Sequence, residues 1–237
     1  MLGTLRLTNE KFIKQLRQRG ALIGDHTVFF SPKNTSFDMN KAFLIKIGER
    51  CKITSGVTIL AHDYSRSVAR IKYGENIGGS APVVIGNNCF IGVNAIIMMG
   101  TSIGDNCIVG AGAVVKGSFP SDCVIAGNPA RVVCTLSDYT QKRKDAVLRE
   151  AVMCVKHIFK TTGQMPTVKQ MGDGFAWLYL PRTNATLAEY PSFFRLASDD
   201  PDSIVDDFMK TKPLFESFNA FLDFARKEIA QGNTTGI

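Results

Sequence analysis

Proton transfer near neutral pH is work for histidine, and this chain of 237 residues holds three: His26, His62 and His157. Their spacing gives no zinc set, which wants three or four His and Cys ligands with two of them close together, so no metal is expected. The six cysteines include no Cys-x-x-Cys pair, and no Gly-x-Ser-x-Gly elbow occurs. Cys51, Cys89 and Cys107 share one slot of a repeating pattern with Thr27, Val57, Ala95, Thr101 and Ala113, and read as compact core side chains. What these residues offer is proton transfer by a base, with no sign of a covalent enzyme intermediate.

The elements that must position a base are written in a period of six. Ile85, Ile91, Ile97, Ile103, Val109 and Val115 head successive hexads, and Ile47, Ile53 and Ile59 head an earlier run. Gly48, Gly86, Gly92, Gly104 and Gly110 follow five of these heads, as expected where a chain turns and needs backbone freedom. Ile23 lies in phase, 24 residues before Ile47. Six fits neither a helix nor an alternating strand. It fits a short strand plus a corner, three of which close an 18-residue triangular coil around stacked Ile and Val, a parallel β-helix. Between Ile59 and Ile85 the phase slips by two, so a segment rich in Ser, Gly and charge, residues 62–82, leaves the coil as a loop. His62 stands where the coil gives way to it. His26 lies beside Asp25 with no excursion after it, and His157 sits on an expected helix without polar company.

The strings Ile85-Gly-Asn-Asn-Cys-Phe-Ile-Gly, Ile103-Gly-Asp-Asn-Cys-Ile-Val-Gly-Ala-Gly-Ala-Val-Val and Ala126-Gly-Asn-Pro-Ala-Arg131 resemble the hexapeptide-repeat acyltransferases. Gly56-Val-Thr-Ile-Leu-Ala-His-Asp-Tyr-Ser65, with Tyr73-Gly-Glu75 after it, is similar to their galactoside, maltose and capsular-polysaccharide O-acetyltransferase branch. The resemblance covers residues 21–133. It implies a left-handed coil, an exception to the usual crossover hand, and a homotrimer with acetyl-CoA as co-substrate and a sugar or glycan acceptor. It also implies His62 as general base and Glu75 as the loop carboxylate beside it; Asp63 is the second candidate to orient the ring. CoA contacts are implied at Phe90, Gly92, Ala111, Gly112, Lys116 and Arg131. Here the family's usual tryptophan is Phe90 and its Thr-Lys is Lys116-Gly117. An amide near Gly92 is a candidate oxyanion donor, and Asp38 and Asn40 are candidate acceptor-binding residues, as is Asp63.

The expected class is therefore an all-β left-handed parallel β-helix with a short N-terminal helix and a mostly α-helical C-terminal appendage. Residues 1–20 form the cap, with a helix over 8–19; residues 21–133 form the β-helix; residues 134–237 form the extension. In the extension a helix runs from Ser137 to Phe159, with Leu148, Ala151, Val152, Val155, Ile158 and Phe159 on one stripe. Further helices are expected over 202–210 and 213–230, the last with Phe215, Phe218, Phe221, Leu222 and Ala225 inward. The net charge of +7 favours anionic partners, but the one dense basic run, Lys142-Arg143-Lys144, reads as a solvated helix face. Nucleic acid is not expected; peripheral proximity to a membrane stays open. Polar residues interrupt the first apolar ones too early for a signal peptide, which points to the cytoplasm. The reading is an acetyl-CoA-dependent sugar O-acetyltransferase. Its alternatives are N-acetylation of an amino sugar nucleotide and a non-catalytic scaffold.

Overall fold

The structure is a computed structural model and describes residues 7–195 and 199–231. The chain divides into two compact units between Tyr139 and Thr140. In the first, helix α1 (Asn9–Gln18) starts at Thr8, whose side chain accepts the Lys11 N–H, and turns Phe12 and Leu16 inward. Both are buried in the same core as the coils that follow, with Phe12 edge-on to Phe29 at 5.1 Å.

Three short strands make each coil. β1 (Leu22–Ile23), β2 (Val28–Phe29) and β3 (Ser36–Phe37) form the first, and β4 (Ile45–Ile47), β5 (Lys52–Ile53) and β6 (Thr58–Ile59) the second. After an excursion of β7 (His62–Asp63), α2 (Arg66–Tyr73) and β8 (Gly79–Ser80) come β9 (Val83–Ile85), β10 (Phe90–Ile91) and β11 (Ile96–Ile97). β12 (Ser102–Ile103), β13 (Ile108–Val109) and β14 (Val114–Val115) complete a fourth coil; β15 (Ser118–Phe119) and β16 (Cys123–Gly127) begin a fifth. β17 (Ala130–Thr135) then folds back antiparallel on β16. The strands stack into three parallel sheets: β1-β4-β9-β12-β15, β2-β5-β10-β13-β16 (extended by β17) and β3-β6-β11-β14.

The register explains the hexads. Ile85 pairs with Ile103 and Ile91 with Val109, 18 positions on, and all four side chains are buried in one aliphatic column system. Each such side chain contributes roughly 1.5–3 kcal/mol by leaving water. Ile23 pairs with Ile47, as its phase implies. Ile47 pairs with Ile85, 38 positions on, so the excursion adds 20 residues to one coil.

Two local expectations are corrected. The glycines after the heads are not there for backbone freedom: a Cβ on Gly86 would lie 2.6 Å from the Gly104 carbonyl carbon, and one on Gly48 would lie 2.6 Å from the Gly86 oxygen. The next coil's backbone fills the space a side chain would need. Left-handed backbone falls two places later, at His26, Arg50, Asn88, Asn106 and Asp122. The second correction concerns residues 62–82, which hold an eight-residue helix and a two-stranded ribbon where a plain loop is expected.

The cysteine slot is also a donor slot. Thr27 donates to the Gly48 oxygen at 2.7 Å, Cys51 to that of Gly86 at 3.1 Å and Cys89 to that of Gly104 at 3.2 Å, each reaching one coil on. All six cysteines are free thiols.

The second unit holds most of α3 (Leu136–Thr162), then α4 (Val168–Met171), α5 (Asp173–Ala176), α6 (Asn184–Glu189), α7 (Pro201–Lys210) and α8 (Phe218–Ala230). Ala151, Val152 and Val155 are buried with Tyr179, Phe208, Phe221, Leu222 and Ala225, whereas Phe159 is exposed, off the expected stripe. α8 begins at Phe218, because Ser217 accepts the Ala220 N–H and sets the first turn there. α4, α5 and α6 are too short to show a period in the sequence. No helix among the described residues is long and apolar enough to cross a membrane.

Candidate active site

The site is built where the solenoid's repeat breaks. β3 pairs with β6 in the register Ser36 to Thr58 and Phe37 to Ile59, 22 positions apart instead of 18. Asp38, the next residue, is pinned by its own N–H to the Ile59 carbonyl at 3.0 Å, and its carboxylate turns into the corner where the chain leaves β6. There Oδ1 accepts the Lys41 N–H at 3.1 Å and Oδ2 accepts the Ala61 N–H at 3.0 Å. Oδ2 also accepts from His62 Nδ1 in a short hydrogen bond. The Asp38 side chain is 1% exposed and that of His62 31%.

Burial pushes the Asp38 carboxyl up, but the imidazole N–H, the Ala61 amide and the Lys41 amide outweigh it, and the group titrates below the ordinary carboxylate value. An ionised carboxylate only accepts, so Nδ1 carries a hydrogen, and in the neutral ring the lone pair is on Nε2. The imidazole is held in one tautomer and one orientation, an arrangement able to accept a proton at Nε2.

The carboxylate bonded to His62 in this structure is that of Asp38. Glu75 lies beyond α2, exposed, and its side chain has no hydrogen bond or ion pair among the described residues. Asp38, expected near an acceptor hydroxyl, is instead committed to His62. Asp63 is exposed and tied to Ser65, accepting that residue's N–H and Oγ–H at 2.7 Å each, which starts the turn into α2 and holds the carboxyl below its usual range. Asn40 is exposed on the turn that Asp38 closes.

Parallel pairing runs Ile59 to Ile97 to Val115, so Lys116 follows β14 at the corner where His62 follows β6, two coils or about 10 Å along the stack. The Lys116 ammonium also contributes to lowering Asp63. Ala111 and Gly112 are exposed at the corner between the second and third sheets. Phe90, on the second sheet, is 40% exposed between Lys52 and Ile108. Arg131 is exposed on β17, with Nη1 donating to the Ala130 oxygen at 2.7 Å. Within one chain, Lys116 alone of the expected CoA contacts shares the His62 corner. Gly92 is buried and its N–H donates to the Val109 oxygen at 2.8 Å, so that amide is not free for an oxyanion. His26 sits in a left-handed turn position and His157 is exposed on α3. No cluster of three His, Cys, Asp or Glu side chains suited to a metal occurs among the described residues.

Sequence reasoning missed the pairing of Asp38 with His62. The signal was present only as Asp38 directly following the inward Phe37, and two irregular connections around β3 take that strand out of the six-residue phase.

Comparison with known proteins agrees with the repeat. Residues 82–116 match the family described as hexapeptide repeat of succinyl-transferase. Protein CapG of Staphylococcus aureus is 41% identical over 128 residues, covering 54% of this chain and 73% of CapG. WbbJ of Escherichia coli (strain K12), provisionally named a lipopolysaccharide biosynthesis O-acetyl transferase, is 31% identical over 134 residues, covering 52% of this chain and 68% of WbbJ. A solved hexapeptide-repeat-containing acetyltransferase from Vibrio cholerae is 26% identical, with a TM-score of 0.47 over 56% of this chain and 83% of its own. With relatives matched across more than two thirds of their own length, the chain belongs to the hexapeptide-repeat acyltransferases and is an acyltransferase.

Proposed function

We propose that this acyltransferase is an acetyl-CoA-dependent O-acetyltransferase of the galactoside, maltose and capsular-polysaccharide branch, acting on a sugar hydroxyl of a cell-surface polysaccharide or its precursor. The observation that carries the reading is the buried Asp38 carboxylate on His62 Nδ1. It leaves Nε2 to take the acceptor's O–H proton as that oxygen attacks the thioester carbonyl. The C–S bond then breaks, and the imidazolium returns the proton to the CoA thiolate, giving the acetyl ester and free CoA. Asp38 is a positioning residue: it touches no reacting atom, but it fixes the tautomer and offsets the positive charge that forms on the ring.

A hydroxyl acceptor fits this pair, because an alcohol of high pKa gains most from a base held in place, whereas a neutral amine already offers its lone pair. The name of WbbJ supports a glycan acceptor. Lys116 and Arg131 are the cations suited to phosphates, and the exposed Ala111–Gly112 corner leaves room for an extended amide-bearing arm, as CoA requires. The resemblance supports a left-handed coil and a homotrimer with sites between subunits, which would bring Phe90 and Arg131 of one copy towards the His62 corner of another.

Free-thiol release from acetyl-CoA across a panel of sugars and nucleotide sugars, followed by mass spectrometry of the product before and after mild alkali, tests the reading. An acetyl group lost in alkali is the expected result. An alkali-stable one on an amino sugar nucleotide would replace it with N-acetylation.

A further inference from the structure

The corners that follow β6, β11 and β14 carry different pairs of residues behind their inward heads: Leu60-Ala61 after Ile59, Met98-Met99 after Ile97 and Lys116-Gly117 after Val115. The ladder keeps these pairs in register, since the Leu60 N–H donates to the Ile97 oxygen at 2.9 Å and the Met98 N–H to the Val115 oxygen at 3.0 Å. Ala61, which joins His62 to the stack, therefore stands about 5 Å before Met99, and Gly117 about 5 Å after it. At Gly117 the corner is open, because a Cβ there would meet no atom within 4 Å. At Met99 it is filled. The Met99 Cε lies 3.4 Å from the point a Cβ of Gly79 would occupy, so its side chain reaches the β7–β8 ribbon, in which Gly79 pairs with Asp63 and Ser80 with His62. Met98 and Met99 are both half-buried. The Met99 side chain thus stands between the open corner beside Lys116 and the strand that carries the base.

An acyl thioester whose attacker is deprotonated by His62 must bring its carbonyl carbon beside the imidazole, and its acyl tail must continue from there. With the arm of CoA coming past Lys116 and Gly117, that tail meets Met99. We propose that Met99 is a specificity-determining residue for the acyl group: its side chain bounds the space beside His62, so that an acetyl group is accepted and each further methylene must displace a packed thioether. The donor and its path rest on the proposed function; what is added is the residue that chooses among donors.

The full chain is titrated by calorimetry with acetyl-CoA and with butyryl-CoA, and the ratio of the two Kd values is read, which needs no acceptor. A methylene in an apolar pocket is worth roughly 10-fold to 200-fold in selection, so the wild type is expected to hold acetyl-CoA about tenfold or more tightly than butyryl-CoA. Met99→Ala should bring the two esters to within about threefold of each other, because the space of the lost thioether admits the two added carbons. Met99→Leu keeps the volume and should keep the wild-type ratio. Met99→Val removes less and should move the ratio in the same direction as Met99→Ala; it decides the matter if the alanine chain loses the wild-type sedimentation coefficient. A side chain that only packs the ribbon would shift both affinities together, and an unchanged ratio in the shortened variants would overturn the proposal. A chain that binds no CoA ester would overturn the proposed function and this inference with it. A wild type that binds both esters equally and still releases thiol to a sugar would overturn this inference alone.

Discussion

The uninterrupted coils over residues 83–115 and the interrupted coil that ends at His62 are made of the same strand-and-corner unit, and they differ in what is left over. In the regular coils every inward side chain meets its like one coil on: Ile85 under Ile103, Ile91 beside Val109, Ile97 beside Val115. Their polar corners are satisfied the same way, with Asn88 donating to Asn106 at 2.9 Å and Asn106 to Asp122 at 3.0 Å. Repetition answers every polar group with its neighbour's, and leaves no group for chemistry. In the interrupted coil the register slips to 22, a carboxylate is buried that has no counterpart above or below, and a half-exposed imidazole caps it. The rigid stack holds the pair still; the break in the stack makes the pair unique.

The sharpest test of that contrast removes the unique group. His62→Ala should lower turnover by roughly 100-fold to 10,000-fold with CoA affinity nearly unchanged, checked by steady-state kinetics and calorimetry. A variant with more than a tenth of wild-type turnover would place the base elsewhere. Asp38→Asn keeps the size but presents an amide to Nδ1, so the ring is no longer held in one tautomer; a loss of about 100-fold or more in kcat with little change in KM is expected.

The regular coils should answer to backbone substitution instead. Gly86→Ala puts a methyl against the Gly104 carbonyl carbon and the Asp105 carboxylate, and should cost about 1–3 kcal/mol in urea unfolding. Gly112, at φ +67 with nothing within 4 Å of its absent Cβ, should lose only about 1 kcal/mol as Ala, from backbone strain alone. Equal losses at the two sites would mean that close approach of coils is not what selects the glycines.

Most of the regular part could be read in advance, because a residue there is placed by its phase. The nine heads, the cysteine slot, the Thr8 start of α1 and the length-shifting insertion all follow from counting. The site could be read only by half. His62 announces itself by standing at the edge of the insertion, but Asp38 reaches it through a strand that is out of phase, and a contact between residues 24 apart leaves no local pattern. Glu75 is pointed to by the resemblance, through Tyr73-Gly-Glu75, and not by any spacing in the repeat. In this structure α2 stands between His62 and Glu75, and the Glu75 side chain is exposed.

A smaller effect follows from the charge state of the buried carboxylate. The Asp38 pKa is lowered in the folded chain, so its contribution to stability is complete above the ordinary carboxylate value of 3.8 and is lost as pH falls below that, through the lowered folded value. Urea unfolding of wild type and Asp38→Asn from pH 7 to pH 3 should show the wild-type advantage shrinking at the acid end. A difference that stays constant over that range would mean the carboxylate is not the form the site holds.

The smallest effect separates the two candidate partners of the base. Glu75→Gln removes a charge from an exposed side chain with no bonding partner among the described residues, and a solvated group of that kind exerts little pull on an imidazole held elsewhere. Less than about a twofold change in kcat is expected, since screening leaves only a fraction of 1 kcal/mol between exposed charges. The comparison with Asp38→Asn carries the meaning, because both substitutions exchange a carboxylate for an amide of equal size. If the burial of Asp38 is what orients His62, the two variants should differ by about 50-fold or more in kcat at equal fold stability. Should Glu75→Gln prove the more damaging of the two, the excursion must close over the imidazole during turnover, and Glu75 would take over the role that Asp38 holds in this structure.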